Sequence, residues 1–278
     1  MNFRRRPSRT ATKRARPLRL RFSVQGRVLD LLIPEASVFV PNLVGLLNAA
    51  TLSVRRGETV VDAGTGSGLH AILCAKLGAG RVISCDVNPA AVAAARRNAR
   101  LNGVAGRIEF VRGSFEKALA RAGRVGLVVS TLPGTRSGHR GLREAAMRAA
   151  PRVSRHLDGG TGAATLNARL VRAAASRLAP GGRLRLHLVD WSDEAAVRGA
   201  LREAGLKSRV VARAHVPVWG QRCNAAQVYK SRAADGPWRV RYRDLPKKAG
   251  TGVRVIEASA GRAAKSSRLA REFSVRVL

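Results

Sequence analysis

The chain has 278 residues, 45% of them apolar, and carries 52 Lys plus Arg against 17 Asp plus Glu, a formal charge of +35. Such a length and apolar content suffice for one α/β domain of about 200 residues with extensions, which excludes a wholly disordered chain. No run of about 18 apolar residues exists, which excludes a transmembrane helix, and Cys74, Cys85 and Cys223 are too few and too scattered for a disulfide framework or a cysteine zinc site.

Met1 to Arg21 holds nine Lys or Arg and no acid, and Pro7 and Pro17 interrupt any helix. This segment reads as a disordered basic arm, although an organelle transit peptide has the same Arg-rich, acid-poor make-up. The surplus continues beyond it: residues 1–37 carry +8, residues 38–230 carry +19 and residues 231–278 carry +8. These spans are the expected divisions: a basic arm and lead-in, a central domain, and a basic extension. Of the 52 cations 44 are Arg, which a GC-rich genome would favour, but the acid deficit has no such origin. The surplus therefore points to a polyanion such as RNA or the ribosome. Aromatic residues make up only 4%, so phosphate attraction is better supported than base stacking.

From residue 59 strand and helix patterns alternate. Thr59 to Asp62 is a short, mostly apolar run ending in an acid, followed by Ala63-Gly64-Thr65-Gly66-Ser67-Gly68 and a helix over Leu69 to Leu77. A second strand, Arg81 to Cys85, ends at Asp86; Asn88 can cap the next helix, with Pro89 at its first position and Asn102-Gly103 as its stop. Further strands are expected at Arg107 to Val111, Val125 to Ser130 and Arg183 to Val189. This is the pattern of a Rossmann-like, doubly wound, mostly parallel α/β sheet, with ligands at the carboxyl ends of its strands. Ser208 to Val218 and Ala225 to Lys230 read as an antiparallel edge hairpin. Trp238 to Tyr242, Val253 to Ile256 and Phe273 to Leu278 are further β-like pieces without an assigned role.

Gly64, Gly66 and Gly68 permit a tight turn and a close approach of backbone to ligand at the first strand-to-helix junction. Asp86 stands at the end of the next strand, 18 residues beyond Gly68, where a carboxylate can accept ribose hydroxyls. A plain turn and a helix-terminal charge are the structural alternatives. The spacing Asp62-x-Gly64-x-Gly66-x-Gly68 differs from the nicotinamide pattern and resembles motif I of class I S-adenosylmethionine-dependent methyltransferases. Val38-Phe39-Val40-Pro41, Val111-Arg112-Gly113 and Leu157 to Gly162 resemble further segments of the glutamine-N5 methyltransferases of release factors, and Leu178 to Arg183 resembles a turn shared by many methyltransferases of the superfamily. That resemblance spans about Val38 to Lys230 and implies S-adenosyl-L-methionine as cofactor. Asp62, Gly64, Thr65, Gly66 and Gly68 would hold its methionine part, Asp86 its ribose, and Ser114 and Phe115 its adenine.

Two departures from that family stand out. Ser114 replaces the family's Asp, so a neutral hydroxyl meets the adenine amine. Ser130-Thr131-Leu132-Pro133-Gly134 stands where the family has N-P-P-Y. Thr131, Leu132 and Pro133 are thus the expected acceptor residues, with the Thr131 hydroxyl and Leu132 carbonyl accepting amine hydrogens, and Gly134 supplies no ring. Trp219 is a candidate ring and His139 a candidate base; each also fits an ordinary structural role, as Phe115 fits the core. Cys74 and Cys85 read as core and His70 as helix surface. The expectation is a cytoplasmic N-directed methyltransferase with a macromolecular acceptor, protein or RNA, of the translation apparatus, with no membrane partner and no metal. A small-molecule methyltransferase and a catalytically silent RNA-binding relative are the alternatives.

Overall fold

The computed structural model describes residues 16–35, 37–132, 163–190, 192–216, 230, 236, 238–241, 251–261 and 272–278. The chain enters through two antiparallel strands, β1 (Leu18–Val24) and β2 (Arg27–Ile33), whose inward residues alternate with exposed ones at the period of a half-buried sheet. Asn42 caps α1 (Leu43–Ala50) by accepting the Gly45 amide at 3.0 Å. Next come β3 (Thr59–Ala63), α2 (Leu69–Lys76), β4 (Arg81–Asp86), α3 (Pro89–Leu101), β5 (Ile108–Arg112), α4 (Phe115–Ala122) and β6 (Val125–Ser130). Asn88 caps α3 through the Ala90 amide, with Pro89 in its first turn, as expected. After residue 162 follow α5 (Ala163–Ala175), β7 (Leu178–Val189), α6 (Glu194–Glu203), β8 (Lys207–Val216), β9 (Trp238–Arg241), β10 (Thr251–Ser259) and β11 (Glu272–Val277).

The central sheet runs β5-β4-β3-β6-β7-β10-β8, with the first five strands parallel and β10 antiparallel to both neighbours. Its two faces carry separate apolar clusters. One holds residues of α1, α2 and α3; the other holds residues of α4, α5 and α6. Winding proceeds from β3 outward to β5 and then returns to β6 on the other side of β3. The crevice therefore opens at the carboxyl ends of β3 and β6, where such sheets take their ligands.

The antiparallel edge is present as expected, formed among the described residues by β8 and β10. The partner of β8 is β10; residues 225–229 lie outside the described residues. Local alternation marks a strand but not its neighbour, and β10 offers buried residues to both β7 and β8. Residues 251–259 thus belong to the central sheet rather than to a separate extension. Likewise β1 and β2, within the lead-in, form a second sheet in the order β2-β1-β11-β9.

That second sheet buries Leu20, Phe22, Leu29, Leu31, Val240 and Phe273 in the apolar cluster beneath it. Its β2 edge is closed by two asparagines one helical turn apart on α3. Asn98 accepts from the Leu32 amide at 2.9 Å and Asn102 from the Asp30 amide at 3.0 Å, and each carboxamide donates back to the same residue's carbonyl. Four residues of helix rise about 6 Å and two residues of strand about 7 Å, so the two ladders match. The edge is thereby withheld from other strands.

Candidate functional site

The loop between β3 and α2 is pinned from below. The Gly64 and Thr65 amides donate to the Cys85 carbonyl at 3.0 and 2.9 Å, and the Gly68 amide donates to Thr65. Gly66 and Gly68 have φ of +54° and +93°, a region that side chains rarely enter. A Cβ on Gly68 would stand 3.1 Å from the Cα of Ala95, so α3 can approach only because no side chain is there. A Cβ on Gly66 would meet nothing within 4 Å among the described residues. That side of the loop is open among them.

Asp86 is tied to this loop. Its Oδ2 accepts the Gly66 amide and its Oδ1 the Asn88 amide, both at 2.9 Å. Two amides at right distance fix the carboxylate plane at the end of β4, and Asn88 in turn donates to the Ser37 carbonyl at 2.8 Å. Asp62 lies beneath the loop, 1% exposed, with the Ser84 hydroxyl donating to it at 3.4 Å. Burial pushes its carboxyl up to about 7, and the Asp86 charge adds to the rise; the Thr65 and Ser84 hydroxyls and the Ala71 amide oppose it. Gly68 gives α2 no side-chain cap. The position of Asp62 is that of a brace.

On the adenine side, Ser114 precedes α4 without a side-chain cap bond. Phe115 is 5% exposed within the cluster under α4 to α6, with the Arg169 guanidinium 5.7 Å from its ring centre. The core alternative describes it well. Val87, next to Asp86, is 64% exposed although apolar. Sequence reading passed over it; the signal was an apolar residue directly after the strand-end acid.

Thr131 and Leu132 follow β6 and are half-buried; Pro133, Gly134, His139, Leu157 to Gly162 and Trp219 lie outside the described residues. The Leu132 amide donates to the Ser130 hydroxyl at 3.2 Å, and a Cβ on Gly64 would strike Leu132 Cδ2 at 2.8 Å. Acceptor loop and glycine loop are therefore in contact. Asn48 of α1 donates to the Ser130 carbonyl at 3.0 Å. Since Val129 pairs with Arg185, continuing the register brings Thr131 level with His187. Asn48 Oδ1, His70 Nε2 and His187 Nδ1 are buried without a hydrogen-bond partner among the described residues. Burial pushes both imidazoles down to about 4. His70, expected on the helix surface, is 4% exposed, because α1 and the central sheet cover both sides of α2. Cys74 and Cys85 are buried as expected. No cluster of metal-ligating side chains occurs among the described residues.

Residues 44–131 match the family model described as ribosomal protein L11 methyltransferase (PrmA). The ribosomal protein L11 methyltransferase of Pelotomaculum thermopropionicum is 47% identical over 79 residues, 28% of this chain and 25% of that protein. The release factor glutamine methyltransferase of Nitratidesulfovibrio vulgaris is 40% identical over 102 residues, 36% of this chain and 35% of that protein. The resemblance read from the motifs is borne out, and the L11 enzymes stand beside the release-factor enzymes. The chain matches only about a quarter to a third of the length of these relatives. Among solved structures, the 16S rRNA N2-guanine methyltransferase RsmC of T. thermophilus, in complex with AdoMet and guanosine, superposes with a TM-score of 0.53 at 15% identity, covering 88% of this chain and 51% of that one. Methanocaldococcus jannaschii Trm5 gives 0.52 at 15% identity over 89% of this chain and 57% of that one. The shared feature is the Rossmann-like α/β fold.

Proposed function

We propose that the chain is an S-adenosylmethionine-dependent methyltransferase acting on a nitrogen of a protein or RNA of the translation apparatus, in the cytoplasm. The observation that carries this reading is the glycine loop with its Gly66 side open and its amide bonded to Asp86. Residues 44–131, matched by the L11 methyltransferase family model, include that loop and both acids.

The residues present fit such a cofactor. Asp86, oriented by two amides, receives ribose hydroxyls; the Gly64 to Gly68 backbone receives the methionine portion, with Asp62 bracing it from below. Val87 and Ser114 flank the adenine, Ser114 with an uncharged acceptor, and Phe115 supports that wall from the core. The sulfonium, when bound, supplies an activated methyl group. The protein's part is to align the acceptor and exclude water. Thr131 Oγ1 and the Leu132 carbonyl accept hydrogens of the acceptor nitrogen and turn its lone pair toward the crevice.

Isothermal titration with S-adenosylhomocysteine tests the reading. Asp86→Ala removes a charged acceptor worth about 1.5–3 kcal/mol, roughly a ten- to hundredfold loss of affinity. Unchanged affinity in that variant refutes the assignment of Asp86. Transfer of tritium from labelled cofactor to ribosomal fractions, followed by protease or ribonuclease, then distinguishes a protein acceptor from an RNA acceptor.

A further inference from the structure

The second sheet turns one face to the apolar cluster and the other to solvent. Its four strands contain six arginines, Arg19, Arg21, Arg27, Arg239, Arg241 and Arg276, against the two acids Asp30 and Glu272. Arg19, Arg21, Arg239, Arg241 and Arg276 are exposed, and each alternates with inward apolar residues such as Leu20, Phe22, Val240 and Val275. The strand period therefore puts these five on the outer face. Arg21 stands directly opposite Arg276 across the β1–β11 ladder. Like charges so placed repel. Asp30 engages Arg21 through two bonds of 2.6 and 2.8 Å; Arg19, Arg239 and Arg276 make no ion pair among the described residues.

Several arginines elsewhere are neutralised by acids. Arg121 is paired with Glu109, Arg172 with Glu203, and Arg198 and Arg254 with Glu194. Exposed arginines without an ion pair among the described residues also occur elsewhere, among them Arg56, Arg100, Arg112, Arg177 and Arg213; this sheet differs in setting five arginines on one regular face, two of them directly opposed. In sequence, seven further Lys or Arg, from Arg4 to Arg16, precede β1. The sheet is also fixed to the crevice: Asn98, which holds the Leu32 edge, donates to the Ser67 carbonyl of the glycine loop at 2.9 Å.

We propose that this outer face docks the phosphate backbone of an RNA, with Arg19, Arg239 and Arg276 as its principal contacts. Guanidinium groups suit phosphate oxygens, to which they donate in pairs, and binding relieves the repulsion between Arg21 and Arg276. Few aromatics are available for stacking, so recognition is of backbone rather than base. This docking surface goes beyond the cofactor reading and stands without it.

The test compares two triple variants of equal net charge. Arg19→Gln, Arg239→Gln and Arg276→Gln alter the sheet face; Arg121→Gln, Arg172→Gln and Arg198→Gln alter the paired sites. Binding of a short fluorescein-labelled single-stranded RNA is followed by anisotropy across a salt series. Each lost phosphate contact lowers the slope of log K against log salt by about 0.7, so the sheet triple should be shallower by about two and, near 0.1 M salt, weaker by about a hundredfold. The other triple should stay within about twofold of the wild type. Thermal melting and S-adenosylhomocysteine titration of the sheet triple should match the wild type, which separates this outcome from failure of the cofactor reading. Equal weakening in both triples, an unaltered sheet triple, or binding of polyglutamate or anionic lipid vesicles as tight as that of RNA overturns the proposal.

Discussion

Gly66 and Gly68 sit two residues apart in one loop, yet alanine should damage different properties at each. At Gly68, with φ of +93°, a left-handed backbone costs alanine roughly 1–2 kcal/mol. Its Cβ would also stand 3.1 Å from the Cα and 3.2 Å from the Cβ of Ala95, and 3.2 Å from Ile72 Cδ1. Backbone of α3 cannot yield cheaply, and such overpacking costs about 1–3 kcal/mol more. Gly68→Ala should therefore lose about 2–5 kcal/mol of stability in urea denaturation. At Gly66 only the backbone penalty applies, about 1–2 kcal/mol, because none of the described residues lies within 4 Å. There the new methyl enters the space assigned to the cofactor. Titration calorimetry should show S-adenosylhomocysteine affinity falling at least about tenfold, or about 1.4 kcal/mol. Wild-type affinity in Gly66→Ala would mean that the open side of the loop is not where the ligand lies. Equal stability of the two variants would refute the packing argument for Gly68.

Stability should also depend on pH in a defined way. His70 and His187 are held neutral by burial, down to about 4, so between roughly pH 4.5 and 6 the unfolded chain binds up to two more protons through them, and stability rises with pH. Asp62, raised to about 7, opposes this by one proton; its contribution is present below its ordinary 3.8 and is lost as pH rises through 7. Urea titrations of Asp62→Asn should thus show a rise steeper by about 1.4 kcal/mol per pH unit, and an unaltered slope would contradict a protonated Asp62. Thr131→Val keeps the side-chain shape and removes its oxygen. Turnover should fall about tenfold with S-adenosylhomocysteine affinity unchanged, whereas full activity would leave the loop only a shaping role. Glu257→Gln leaves Arg185 buried without its anion and should cost about 3–5 kcal/mol by urea denaturation. A loss below about 1 kcal/mol would show that Arg185 is solvated in another way.

Legibility in the sequence followed the range of the interaction. The glycine loop, Asp86 and the Asn88 cap depend on residues within one strand–turn–helix unit, and their spacing carries the geometry. His70 was misplaced because α2 is buried from Leu69 to Ala75, and a helix covered all round has no polar stripe to orient it. Asn102 was readable as a helix end, while its bonds to Asp30 and those of Asn98 to Leu32 span more than 60 residues and leave no local mark. For the same reason β10 was visible as a strand yet was not assigned to the sheet that it completes. Departure from N-P-P-Y was evident in the residues themselves, but its chemical consequence depends on what surrounds Thr131, and His187 and Asn48 arrive there from distant elements.

The placing of β10 has a consequence for how the sheet finds its alignment. Glu257 stands opposite Arg185 on β7 and opposite Arg209 on β8, so one row across three strands reads cation, anion, cation. The anion bonds to both at 2.7 and 2.9 Å. Sliding β10 by one residue would turn Glu257 to the other face, among Leu184, Leu186 and Leu188, and strand both guanidinium groups without a counter-charge. Apolar side chains alone would tolerate several offsets in a strand rich in Val, Ile and Ala. The charged row acts like the ward of a lock: it adds little to the energy of the correct alignment, but makes each neighbouring one expensive.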